Sequence, residues 1–161
     1  MIIGVDFDGT IVTHEYPGIG QPVPGALETL DVLQIANHRI ILWTVRAGRY
    51  LDQAVEYLNN HNIKLWGINE NPEQKDWSAD GLSPKAFCDV YIDDAALGCP
   101  LIFPRGPRRQ IMGDRPYVDW NKVASILPYV VPVDIQEIKK EMQSDPFKEY
   151  EEWQYMENGG R

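Results

Sequence analysis

Apolar residues in this chain fall into short continuous runs, and between the runs they recur every three or four positions. Ile2-Ile3-Gly4-Val5 followed by Phe7, Ile40-Ile41-Leu42-Trp43, Leu65-Trp66-Gly67-Ile68, Val90-Tyr91-Ile92 and Leu101-Ile102-Phe103 are the runs. They have the character of strands covered on both faces. Leu27, Leu30, Leu33 and Ile35 instead stand at helical spacing within 24–36, with Pro24 suited to a first turn, and Leu51, Val55 and Leu58 do the same within 50–60. The pattern predicts strands at 2–7, 40–44, 64–68, 89–93 and 100–103, helices at 24–36, 50–60 and 120–127, and a brief helix at 83–88. Residues 11–23, rich in Gly, Pro and polar side chains, read as a flap over the end of the first strand. Alternating strands and helices imply right-handed crossovers and a parallel sheet, so residues 1–132 are expected to form a doubly wound α/β domain. Beyond Pro132, Ile135, Ile138, Met142, Phe147, Tyr150 and Trp153 recur at roughly helical spacing among many acids. Residues 133–161 are therefore read as an acidic amphipathic tail that could dock on its own domain, pair with another subunit or fray, alternatives that the spacing does not separate.

The first strand runs straight into Asp6-Phe7-Asp8-Gly9-Thr10. Open α/β sheets bind ligands at the C-terminal edge of their strands, and two carboxylates delivered there about 6 to 7 Å apart repel unless a cation or a shared proton offsets them. A divalent metal is the simplest answer. Thr44 follows the second strand, Lys85 precedes the fourth, and Asp93-Asp94 ends the fourth. The C-termini of parallel strands lie on one edge, which brings residues distant in sequence together. Each of these has a plainer reading. Asp93-Asp94 could cap Ala95-Ala96-Leu97, and Lys75 competes with Lys85. Arg46 could orient a substrate or simply cover the sheet edge, His14 reads as a solvated loop histidine, and Pro104-Arg105-Gly106-Pro107-Arg108-Arg109 as a solvated basic loop. Trp43, Trp66 and Tyr91 read as core or sheet-face residues. A calcium-binding helical hairpin is disfavoured, because the preceding run is strand-like and no suitably spaced Glu follows.

A length of 161 residues suits one domain, and 43% hydrophobic content supports an ordinary core. The formal net charge of -9 opposes nonspecific binding to nucleic acid or to an acidic membrane surface. Cys88 and Cys99 are too few for a disulfide framework and are expected to be reduced, buried thiols, which suggests a cytoplasmic location. No apolar run approaches the roughly 18 residues of a membrane span, and the start lacks a signal-peptide pattern.

Asp6-x-Asp8-Gly9-Thr10, then strand-Thr44, then Lys85, then strand-Asp93-Asp94 resembles, in order, the four motifs of the haloacid dehalogenase superfamily, most of whose members are magnesium-dependent phosphohydrolases. The resemblance covers about residues 1 to 103. It implies a Rossmann-like fold and an Asp6 that attacks phosphorus to form an aspartyl phosphate. Asp8 would protonate the leaving alkoxide and then deprotonate water. Mg²⁺ would be held by Asp6, the Asp8 carbonyl and Asp93, with Asp94 supporting it. Thr44 and Lys85 would neutralise the phosphoryl oxygens, and Thr10 would brace the loop. An acid at position 8 favours phosphoester hydrolysis or a phosphomutase over dehalogenation. Both intervals between motifs are too short for a folded cap domain, so the expected enzyme is a capless phosphatase acting on a phosphorylated substrate, with a homo-oligomer formed through the tail as a possible cover. A phosphate-binding regulatory protein of the same fold is the alternative. The phosphate-receiver domain, which shares the residue types, places them in another order.

Overall fold

The computed structural model describes residues 1–76 and 83–130. The tail 133–161 and the boundary expected at Pro132 lie outside the described residues, as does the side chain of Lys75. The chain builds β1 (Ile2–Val5), α1 (Ala26–Ile35), β2 (Arg39–Leu42), α2 (Arg49–Asn60) and β3 (Leu65–Ile68), then a 3-10 turn at Pro72–Asp76. It continues through β4 (Val90–Ile92), β5 (Leu101–Ile102), α3 (Gly106–Met112), β6 (Tyr117–Val118) and α4 (Trp120–Ile126). Four strands form a parallel sheet in the order β3-β2-β1-β4, with Ile3 opposite Ile40 on one side and Val90 on the other. This is a Rossmann-like α/β fold, as the alternation of elements predicts.

Period-two alternation divides the sheet between two faces. Ile3, Val5, Phe7, Ile40, Leu42 and Ile92 pack with Leu30 and Leu33 of α1, Leu58 of α2 and Val123 of α4 in one large core. Ile2, Ile41, Cys88 and Tyr91 form a smaller core on the other face. Gly4 makes that second face close-packed, since a Cβ there would stand 2.9 Å from both Cys88 Sγ and the Tyr91 ring. The crossovers explain the division. α1 and α2 carry the chain from β1 outward to β3 and supply Leu30, Leu33 and Leu58 to the large core, whereas Cys88, just before β4, belongs to the small one. Strand order therefore reverses between β1 and β4, and the crevice at that switch point is where open α/β sheets bind ligands.

Several local expectations are corrected. The apolar run at 100–103 is not a fifth parallel strand: β5 pairs antiparallel with β6 in a separate two-stranded sheet, Leu101 opposite Val118. An apolar run reports burial and not partner, and the fully buried Tyr117-Val118 pair supplied the nearer edge. Residues 83–88 form no helix, because their backbone groups bond to side chains elsewhere. Gln74 donates to Lys85 O at 3.1 Å and accepts from Phe87 N at 2.9 Å, while Asn71 donates to Phe87 O at 3.0 Å. The basic cluster at 104–109 is not a solvated loop. It enters α3 with Pro107 in the first turn, where a missing N–H costs nothing, and the buried Arg108 donates to Tyr117 Oη at 3.1 Å. In α1 the buried set includes Val32, and Ile35 is exposed. Cys88 and Cys99 are free thiols. No helix among the described residues is long and apolar enough to cross a membrane.

Candidate metal and phosphoryl site

β1 ends at the switch point, where the backbone turns hard. Phe7 O accepts from Ile11 N at 2.9 Å and Val12 N at 3.1 Å, and Gly9, at φ +86°, donates to Val12 O at 2.6 Å. This turn sends Asp6 and Asp8 to different neighbours. Asp6 faces Asp93 and Asp94 from the end of β4, and the three carboxylates offer oxygens all within 4.8 Å of one another. The Asp8 carboxylate instead meets Arg46, which donates from Nε to Oδ2 and from Nη2 to Oδ1, both at 2.7 Å.

Thr10 bonds to both sides of this arrangement. Its hydroxyl stands 3.4 Å from Asp6 Oδ2 and accepts from Asp94 N at 3.1 Å, and its carbonyl accepts from Trp120 Nε1 at 2.7 Å. Asp93 caps no helix, because residues 94–98 form a turn: its Oδ1 accepts from Ala95 N at 2.8 Å within that turn, and the carboxylate belongs to the acidic cluster. His14 is not a solvated loop residue: its Nε2 lies 2.9 Å from Asp94 Oδ2, and both side chains are 13% exposed. The pair closes over Gly9, where a Cβ would overlap His14 Nε2 and lie 2.6 Å from Asp94 Oδ2. Only glycine meets both the positive φ and that close approach.

Burial raises the Asp6 carboxyl to about 7, with repulsion from Asp93, Asp94 and Asp8 adding to the effect and a backbone hydrogen bond at Phe7 opposing it. Asp6 therefore holds a proton near neutrality in the absence of a counter-charge. Three hard oxygen donors around a destabilised negative charge fit a divalent cation such as Mg²⁺. The Asp8 carbonyl fits as well, for among the described residues it accepts no hydrogen bond, the turn's bonds running to Phe7 and Val12 on either side of it.

Asp6 and Asp93 open onto a cleft of about 320 Å³ whose other walls are Trp43, Thr44, Val45, Asn69 and Pro84. Thr44 is buried, and its hydroxyl accepts from Arg46 N at 3.2 Å. Asn69 is a residue that the sequence reading missed. It accepts from Thr44 N and donates to Thr44 O, both at 2.7 Å, and so sets the loop that carries the threonine. Its signal was present, an Asn directly after the apolar run of β3, at the same edge as Asp6 and Thr44. Lys85 is exposed and its Nζ lies 5.2 Å from the Tyr91 ring centroid, so that Pro84 rather than Lys85 lines the cleft.

Arg46 neither covers the sheet edge passively nor faces the cleft. Its side chain is fully buried, and besides Asp8 it donates to Pro17 O at 3.1 Å and Gly18 O at 2.6 Å. Phe7 and Tyr16 stand 5.0 and 5.3 Å from its guanidinium carbon. The flap is thereby tied to the turn that carries Asp8.

Comparison with solved structures finds a conserved protein coded by a locus of Bacteroides thetaiotaomicron, 35% identical, aligned over 86% of this chain and 96% of that one with a TM-score of 0.61. The chain belongs to the family of that conserved protein. The shared span takes in nearly the whole relative, so the family's fold is the fold described above. No family model matches the chain, and no curated protein does.

Proposed function

We propose that the chain is a Mg²⁺-dependent phosphomonoesterase of the haloacid dehalogenase type. The observation that carries this reading is the meeting of Asp6, Asp93 and Asp94 within 4.8 Å at the switch point, with Asp6 and Thr44 opening onto one cleft. Asp6, Asp93 and the Asp8 carbonyl would hold the cation, which supplies charge neutralisation for the phosphoryl oxygens when bound. The Asp6 carboxylate attacks phosphorus as the leaving alkoxide departs, and water then attacks the aspartyl phosphate to release inorganic phosphate. Asp8 donates the proton that the alkoxide takes and removes one from the attacking water. Arg46 donates to both Asp8 oxygens, so Asp8 must part from the guanidinium to reach the leaving oxygen. Thr44 supplies a hydroxyl to the phosphoryl group, and a lysine, Lys85 or Lys75, supplies the positive charge.

Phosphate release from a generic aryl phosphate tests the reading. Asp6→Asn should reduce turnover by about a thousandfold or more, as expected for a lost nucleophile. EDTA should abolish activity and Mg²⁺ restore it. Full activity in either case refutes the mechanism. The Arg46 clamp favours one second reading, phosphate binding without turnover, because it occupies the carboxylate that catalysis needs. Saturable phosphate binding by a protein that releases none from any phosphomonoester would select it.

A further inference from the structure

The cleft beside Asp6 has a polar end and an apolar wall, and the wall is built rather than incidental. Val45 is 98% exposed, which in isolation would be unremarkable, but it adjoins Trp43 and faces the same cleft as Pro84. Trp43 is propped from behind by Tyr91, edge to face, with ring centroids 6.2 Å apart and planes at 69°. Tyr91 is itself held by its hydroxyl on Ala86 O, and the Lys85 ammonium sits over its ring. The indole is therefore set before a ligand arrives.

The polar groups that line the cleft beside this wall are engaged in part, the Thr44 O–H being left for the phosphoryl group. Both the oxygen and the nitrogen of the Asn69 amide bond to the Thr44 backbone, and the Thr44 hydroxyl accepts from Arg46 N. A polyol leaving group such as a sugar would lose hydration against the Trp43 ring face and the Val45 and Pro84 side chains, which return no conventional hydrogen bond. A flat apolar ring loses little hydration there and gains a stacking partner. The volume of about 320 Å³ lies at the small end for ligand sites and suits a phosphoryl group with one ring attached.

We propose that the site selects phosphomonoesters whose leaving group carries a flat apolar ring, seated on Trp43 between Val45 and Pro84. This rests on the phosphomonoesterase reading and adds to it the class of substrate.

Benzyl phosphate and ethyl phosphate test it, because both release a simple alkoxide and differ mainly in the ring. With Mg²⁺ present, kcat/KM for the benzyl ester should exceed that for the ethyl ester by about tenfold, the size of an aromatic contact. Trp43→Leu should bring that ratio close to one. Val45→Ser, an exposed position with little bearing on folding, should lower it by about threefold through lost apolar contact. Equal rates for the two esters in the parent protein, or ribose 5-phosphate outperforming benzyl phosphate, would overturn the inference and leave the phosphatase standing. If neither ester is hydrolysed, the aryl phosphate assay judges the hydrolase reading, and calorimetric binding of benzylphosphonate against methylphosphonate decides the inference separately. A tenfold preference for the benzyl compound supports it, and equal binding overturns it.

Discussion

Asp6 and Asp8 leave the same turn two residues apart, and the structure gives them opposite surroundings. Asp6 stands half-buried among two further carboxylates with its carboxyl raised to about 7, while Asp8 is 16% exposed and gripped at both oxygens by a fully buried guanidinium. Among the described residues, Asp6 has no basic partner and Asp8 has a guanidinium on both oxygens. The difference separates a site that would take up a cation from a clamp that already contains one, although the local sequence offers two chemically identical side chains. The clamp also holds the flap, because the guanidinium that grips Asp8 donates to the carbonyls of Pro17 and Gly18 as well.

Stability measurements can break or sharpen this contrast. The largest effect is expected at Arg46. Arg46→Ala leaves Asp8 buried beside nothing of opposite charge and should cost about 3 to 5 kcal/mol in urea unfolding, the size usual for orphaning one partner of a buried pair. Asp6→Asn, which removes a repelled charge, should leave the metal-free protein as stable or more so at pH above about 7. Adding Asp8→Asn to Arg46→Ala should recover much of the loss, and no recovery would show that the flap carbonyls, not the carboxylate, are what Arg46 stabilises.

The next effect depends on pH. The Asp6 carboxyl is raised from 3.8 to about 7 on folding, so between these values the folded protein holds a proton that the unfolded chain has released. Stability of the metal-free protein should therefore fall as pH rises through this window and level off above about 7, by up to about 4 kcal/mol for this group. The comparison of parent protein with Asp6→Asn isolates it, since the variant should lack that part of the slope. Added Mg²⁺ should stabilise the parent more at about pH 8 than at about pH 5, because the ion competes with the proton for the same oxygens. A Mg²⁺ effect that is identical at both values would remove Asp6 from the metal site.

The smallest stability effect is expected at Lys85, outside both halves of the comparison. Lys85→Ala loses a surface cation–π contact with Tyr91 and should change unfolding free energy by no more than about 1 kcal/mol. Phosphate release should nonetheless fall by about a hundredfold if this ammonium reaches the phosphoryl group during turnover. Unchanged turnover would transfer the role to Lys75.

Much of this was legible without coordinates. Ile2-Ile3-Gly4-Val5 and Ile40-Ile41-Leu42 are short, β-branched-rich and apolar on consecutive positions, the pattern of a strand covered on both faces, and the helical spacing between them leaves a parallel crossover as the connection. Acids, Thr44 and Asn69 directly after such runs belong at one sheet edge for the same reason. Less was legible where a residue's partner is distant in sequence. Leu101-Ile102 reads as a strand in any context, but its pairing with Tyr117-Val118 depended on which edge lay within reach. Residues 83–88 resemble a short helix until Gln74 and Asn71 engage their backbone.

The sequence by itself determined the alternation of strands and helices from β1 to β3 and the strand character of β4, the presence of Asp6, Thr44, Asp93 and Asp94 at strand ends, and the need for a cation or proton among them, because periodicity and like-charge repulsion are local properties. The tertiary structure alone decided that Asp8 belongs to Arg46, that His14 belongs to Asp94 across 80 positions of chain, and that Trp43 walls the cleft. Those assignments depend on distances between segments that no local pattern encodes, and a buried charge takes the nearest opposite charge or polar group that folding brings to it.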